Sequence, residues 1–119
     1  MSIPARTYQL IVELRDEVRC RVGKLGVFDF PRGRYVYTGS AKANLQARID
    51  RHLRREKRFH WHIDYLLARP EARIVRVLTS GRSECALNRS TAGRVLVGGF
   101  GASDCRSGCG AHLKFLGAR

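Results

Sequence analysis

Acidic residues are scarce in this chain: 10 Asp and Glu stand against 23 Lys and Arg among 119 residues, a formal net charge of +13 and a pI near 10.8. So lopsided a charge on one small domain costs self-repulsion and points to a polyanionic partner, most often nucleic acid. The first residues, Met1 to Arg6, contain no apolar run of the kind a secretory leader needs. No stretch approaches the roughly 18 consecutive apolar residues of a membrane span. A long basic amphipathic helix with bulky apolar residues is also missing, which argues against a membrane-surface role. Internal repeats, low-complexity tracts and linkers are absent too. The expectation is one cytoplasmic domain, large enough for a modest core, whose four cysteines serve as thiols or metal ligands rather than disulfides.

The apolar pattern predicts mixed elements. Thr7 to Leu14 alternates as a strand, and Val18 to Val22 follows after the polar turn Arg15-Asp16-Glu17, so residues 7–22 read as a hairpin. Leu25 to Phe30 is short and apolar, Phe30-Pro31-Arg32-Gly33 is a turn, and Arg34 to Thr38 is an aromatic, β-branched strand. From Asn44, a plausible cap, the period becomes helical, with Leu45, Ile49 and Leu53 in one stripe and a strongly basic exit through Arg58. His60 to Arg69 reads as a second helix stopped by Pro70. Arg73 to Thr79 reads as a strand, Ser83 to about Ala92 as a third helix, and His112 to Leu116 as a closing strand. This order suggests an α+β domain with a small mixed sheet and helices packed against it.

The run Tyr35-Val36-Tyr37-Thr38-Gly39-Ser40-Ala41 carries the most chemistry. A strand ends there in a Gly turn and hands over to the helix, on which Arg48 and His52 lie i,i+4 on one face. A phenol, a guanidinium and an imidazole are thereby directed to one place. Such groups can position, charge-stabilise and deprotonate around a phosphodiester.

Together with Tyr8, a downstream Glu84, the segment Gly26 to Phe30, the run His60-Trp61-His62-Ile63-Asp64-Tyr65-Leu66-Leu67, and Gly99 to Cys105 with His112-Leu113, these residues resemble the GIY-YIG nuclease superfamily, in its Uri endonuclease branch. The resemblance covers nearly the whole chain. It implies a three-stranded antiparallel sheet flanked by helices, open to extension, and metal-dependent hydrolysis of DNA. By position it makes Tyr8, Tyr37, Arg48, His52 and Glu84 catalytic, with Glu84 holding Mg²⁺ or Mn²⁺. Arg6-Thr7-Tyr8 departs from the glycine and isoleucine of the family's first motif, and Cys105 and Cys109 are spaced more widely than its cysteine pair.

The bland counterparts are a carboxylate in a helix's first turn for Glu84, solvated arginines on a basic helix, half-buried strand tyrosines, and a packing histidine. Ser40, Lys42, Arg51, Arg55, Lys57, Arg58, His60 and His62 are candidates for nucleic-acid contact, Ser40 and Lys42 beside the turn and the others along the basic helix and its exit. Cys85, Cys105, Cys109 and His112 form a candidate zinc or structural cluster, with buried thiols and packing histidines as the alternative. The expected function is a DNA endonuclease, with specificity supplied by a partner or fused domain. The rival is a non-catalytic nucleic-acid-binding domain, zinc-stabilised or not.

Overall fold

The computed structural model describes residues 6–41, 43–54, 57–101 and 109–117. Lys42, Arg55 and Cys105, singled out above, lie outside them. The elements in chain order are strands β1 (Thr7–Leu14), β2 (Val18–Val22), β3 (Gly26–Phe30) and β4 (Gly33–Ser40), helices α1 (Leu45–Leu53) and α2 (His62–Leu67), strand β5 (Ala72–Ser80), helix α3 (Glu84–Ser90) and strand β6 (Leu113–Gly117).

The sheet is larger than expected and paired differently. Four strands run in the order β5-β1-β4-β6, and β2 and β3 form a separate two-stranded ribbon. Every described pair is antiparallel, so the sheet is not mixed. The expected hairpin of residues 7–22 does not form. β1 instead pairs over all eight of its residues with β4, from Thr7↔Ser40 to Leu14↔Gly33, and lies in the sheet between β4 and β5. The eight-residue ladder satisfies more backbone groups than five-residue β2 could. β2 leaves the sheet plane, with Val18, Cys20 and Val22 buried and Arg19 and Arg21 exposed. Its Cys20 Sγ reaches the Tyr65 carbonyl of α2.

Register is reinforced at the end of the sheet near Leu14. Glu13 lies between its cross-strand partners Arg34 and Arg73 and binds both, at 3.4 and 2.9 Å. One sheet face carries Tyr8, Leu10, Val12, Tyr35 and Tyr37 into the core. On the other face Gln9 donates to Thr38 and to Thr91 just beyond α3, so α3 covers that side.

The helices are shorter than their sequence windows. α1 begins as expected at Asn44, which sits in the left-handed region and accepts from the Ala47 amide. It ends at Leu53, where the Arg54 backbone turns extended, and the Lys57 ammonium caps the carbonyls of Arg51 and His52. α2 begins at His62 rather than His60, because the Asp64 carboxylate reaches back to the amides of His60 and Trp61.

Asp64 also ties the two helices together. Its side chain is fully buried, and both its oxygens accept from the Arg51 guanidinium at 3.0 and 2.9 Å. Removing one partner of such a pair leaves a buried charge uncompensated. Arg51→Ala is therefore expected to cost about 3–5 kcal/mol in urea unfolding; a loss below about 1 kcal/mol, the worth of an exposed pair, would show that this contact does not hold α1 to α2.

Candidate functional site

The candidate site sits at the corner of the sheet where β1 begins and β4 ends. Tyr8 and Gly39 face each other across the ladder. A Cβ on Gly39 would fall 2.6 Å from the Tyr8 Cζ and Oη atoms, so glycine is needed there to let the phenol cross the β4 backbone. Gly39, expected in a turn, lies instead within β4 and makes room for the catalytic candidate on the neighbouring strand, an interaction invisible at 31 residues' separation in the chain.

The Tyr8 hydroxyl lies 2.6 Å from His52 Nε2, and both residues are only 2 % exposed. The His52 ring is held by three aromatic neighbours, with centroids 5.4 Å from Tyr8, 5.9 Å from Tyr37 and 5.5 Å from Trp61. Burial pushes the imidazole down to about 4; Asp64 offsets this in part, while Lys57, Arg51 and Arg48 add to it. The ring is neutral at pH 7 and can accept the phenol's hydrogen bond. Burial likewise raises Tyr8 and Tyr37 above the ordinary phenol range, so both stay protonated, with the Arg48 charge working the other way.

Arg48 and Glu84 both lie near Ser40. The Arg48 guanidinium donates to the Ser40 carbonyl at 2.6 Å, and the Ser40 side chain and the Arg48 charge both favour the ionised Glu84 carboxylate. They arrive from opposite sheet faces, Arg48 on α1 and Glu84 at the start of α3. α3 is anchored at its other end by Lys114, which donates to the Asn88 and Thr91 carbonyls, and by Asn88, which donates to Ala111. Burial alone would raise Glu84, but the contact from His112 Nδ1, the nearby Ser40 side chain and the Arg48 charge outweigh it and hold the carboxyl below its usual range. Glu84 is therefore ionised at neutral pH, as a hard-metal ligand must be.

The remaining candidates divide. Arg51 and Lys57 were expected to track phosphates, but Arg51 is turned to Asp64 and Lys57 to the end of α1. His62 accepts the Gly101 amide at 2.9 Å and packs on Phe100, so it pins α2 to the glycine-rich loop. Arg58 and His60 remain exposed. Three further residues belong near the corner. Trp61, expected in the core, is half-buried, and its ring lies beneath both Arg48 and Arg51, at 4.8 and 4.4 Å. Exposed Arg6 and Arg82 flank β1, the Arg6 carbonyl bound by Ala41 and the Arg82 carbonyl by the Thr7 hydroxyl. Only the His-Trp-His run gave any sign of Trp61; Arg82 is brought in by pairing between β1 and β5, which carries no local sequence signal.

A second group stands beside the first. Cys85, Cys109 and His112 place one ligand atom each within 4.8 Å of one another, an arrangement that could hold a metal ion. His112 Nδ1 also lies 3.1 Å from Glu84 Oε2, linking this group to the corner.

The chain is thus a small α+β domain with an antiparallel sheet whose corner gathers a phenol, a neutral imidazole, a guanidinium and a carboxylate. The family model described as domain of unknown function DUF123 matches residues 7–119, and the chain belongs to that family. No curated protein and no solved structure matched. Among the described residues no helix is long and apolar enough to cross a membrane.

Two outcomes follow from this packing. Gly39→Ala forces the Tyr8 ring aside and is expected to cost about 1–3 kcal/mol in thermal or urea unfolding; a neutral result would mean the ring is not seated over Gly39. His52 binds fewer protons folded than unfolded between its ordinary 6.5 and about 4. Its contribution to stability is therefore complete above about pH 6.5 and is lost as pH falls through about 4. His52→Gln, which does not titrate, should flatten the fall in melting temperature over that window, and an unchanged slope would contradict the depressed imidazole.

Proposed function

We propose that this domain is a metal-dependent endonuclease that hydrolyses DNA phosphodiester bonds, as the likeness to the GIY-YIG nucleases suggests. The observation that carries the reading is that Arg48, held on the Ser40 carbonyl, and Glu84 both lie close enough to act on each other and on Tyr8, beside the Tyr8–His52 pair. Glu84 would hold a divalent Mg²⁺ or Mn²⁺, which would supply charge neutralisation at the scissile phosphate and its leaving oxygen. Arg48 contacts a non-bridging oxygen with a charge-assisted hydrogen bond. The Tyr8 oxygen takes a proton from the attacking water while its own proton passes to His52 Nε2. The water oxygen bonds to phosphorus, the phosphorus–oxygen bond to the leaving strand breaks, and the leaving oxygen is protonated from solvent. Tyr37, packed edge-on against the His52 ring, helps to fix it. Exposed Arg6, Arg54, Arg58 and Arg82 are available for phosphates on either side.

The burial of Tyr8 and His52, and so low a basicity for His52, favour a second reading in which the same corner is a rigid element of a non-catalytic DNA-binding domain. Cleavage of labelled single-stranded, duplex and branched DNA with Mg²⁺, Mn²⁺ or EDTA separates the two. The nuclease reading expects metal-dependent cutting that Glu84→Ala abolishes while DNA binding stays within a few-fold, and that Tyr8→Phe lowers by about 10²–10⁴-fold. Binding without cutting on every substrate would establish the second reading. Under both, affinity should fall steeply and linearly on a log–log plot against salt. A flat response would remove nucleic acid as the partner.

A further inference from the structure

The Cys85, Cys109 and His112 group differs in chemistry from the corner beside it. Two thiols and an imidazole are soft or borderline ligands, suited to zinc and poorly suited to magnesium. In a tetrahedral zinc site, bonds of about 2.3 Å to sulfur and 2.0–2.1 Å to nitrogen put ligand atoms roughly 3.5–3.8 Å apart. The observed spacing, within 4.8 Å, needs only a small inward movement to meet this.

The second observation is the setting of the His112 ring. The residue is 1 % exposed. Its backbone is held on both sides, the carbonyl by the Thr38 amide and the amide by the Phe100 carbonyl. Two acceptors face Nδ1: Glu84 Oε2 at 3.1 Å and the Thr38 carbonyl at 3.3 Å. Nδ1 must therefore carry the proton, which puts the lone pair of a neutral ring on Nε2. That is the tautomer a metal requires, and carboxylate–histidine–metal relays fix it in this way.

We propose that Cys85, Cys109 and His112 Nε2 supply three of the four ligands of a structural Zn²⁺ ion, and that His112, by donating from Nδ1, makes this ion a positioning element for Glu84. The zinc would join α3 to the segment leading into β6, and so fix the carboxylate from behind. One histidine then serves two centres, a soft one that orders the fold and a hard one at the corner. The second half of the proposal rests on the reading of Glu84 as the Mg²⁺ ligand; the first half does not.

The test uses the full chain. After chelation and reloading with Co²⁺, a thiolate-to-cobalt charge-transfer band at one ion per chain is expected, displaced by Zn²⁺ and lost in both Cys85→Ser and Cys109→Ser. Circular dichroism of the variants confirms that they still fold. Absence of the band in the wild type, its persistence in both variants, or a Cys85–Cys109 disulfide in the intact mass would overturn the zinc site. Mn²⁺ binding followed by electron paramagnetic resonance then tests the coupling. Affinity should fall about 10-fold in zinc-depleted protein, as loss of an outer-shell partner commonly does, and Glu84→Gln should bind no Mn²⁺ at this site. Equal affinity with and without zinc would overturn the coupling. Failure of the wild type to bind Mn²⁺ would overturn both the coupling and the Glu84 reading, leaving the cobalt spectrum to decide the zinc site alone.

Discussion

The corner of this protein depends on one hydrogen bond, between the Tyr8 phenol and His52 Nε2. It spans 44 residues and joins the first strand to α1. It needs Gly39, which has no side chain to block the ring, and a neutral His52, which burial favours further into the acid range. An imidazolium would carry a proton on Nε2 and could not accept from the phenol. Burial, usually a cost for a polar ring, here selects the protonation state that the contact needs.

Around that contact the molecule separates positive charge that builds from positive charge that is presented. Arg51 is fully engaged with Asp64 and holds α1 to α2, and Lys57 closes α1. Arg48 lies between these roles: one nitrogen is on the Ser40 carbonyl, and its plane rests on Trp61. Glu84 approaches from the other sheet face, near enough for the Arg48 charge to favour its ionised form. The groups that phosphodiester chemistry would need are thus contributed by β1, β4, α1 and α3, and by β6 through the His112 residue just before it. A short sheet end is enough to bring them together.

Much of the local structure was legible in the chain. The alternation in β1, the Asn44 cap and the start of α3 at Ser83 all follow from patterns a few residues long. The pairing was not legible. The short turn after Leu14 suggested a local hairpin, whereas the eight-residue match between β1 and β4 is a long-range choice decided by ladder length and by the packing of β2 on α2. The same limit applies to the site. Tyr8, Tyr37, Arg48, His52 and Glu84 could be named because each sits in a motif. The roles of Arg51, His62 and His112 could not, because each is set by a partner distant in sequence, Asp64, Gly101 and Glu84 respectively. A basic helix looks uniform in sequence, and only the fold sorts its arginines.

The neutral, hydrogen-bond-accepting state of His52 is the point on which the rest of the account turns, and nitrogen-15 NMR of the histidine side chains measures it directly. The His52 ring is expected to keep its proton on Nδ1, leave Nε2 as acceptor, and titrate only as pH approaches about 4. A His52 that titrates near its ordinary 6.5, or that carries its proton on Nε2, would contradict the corner as described.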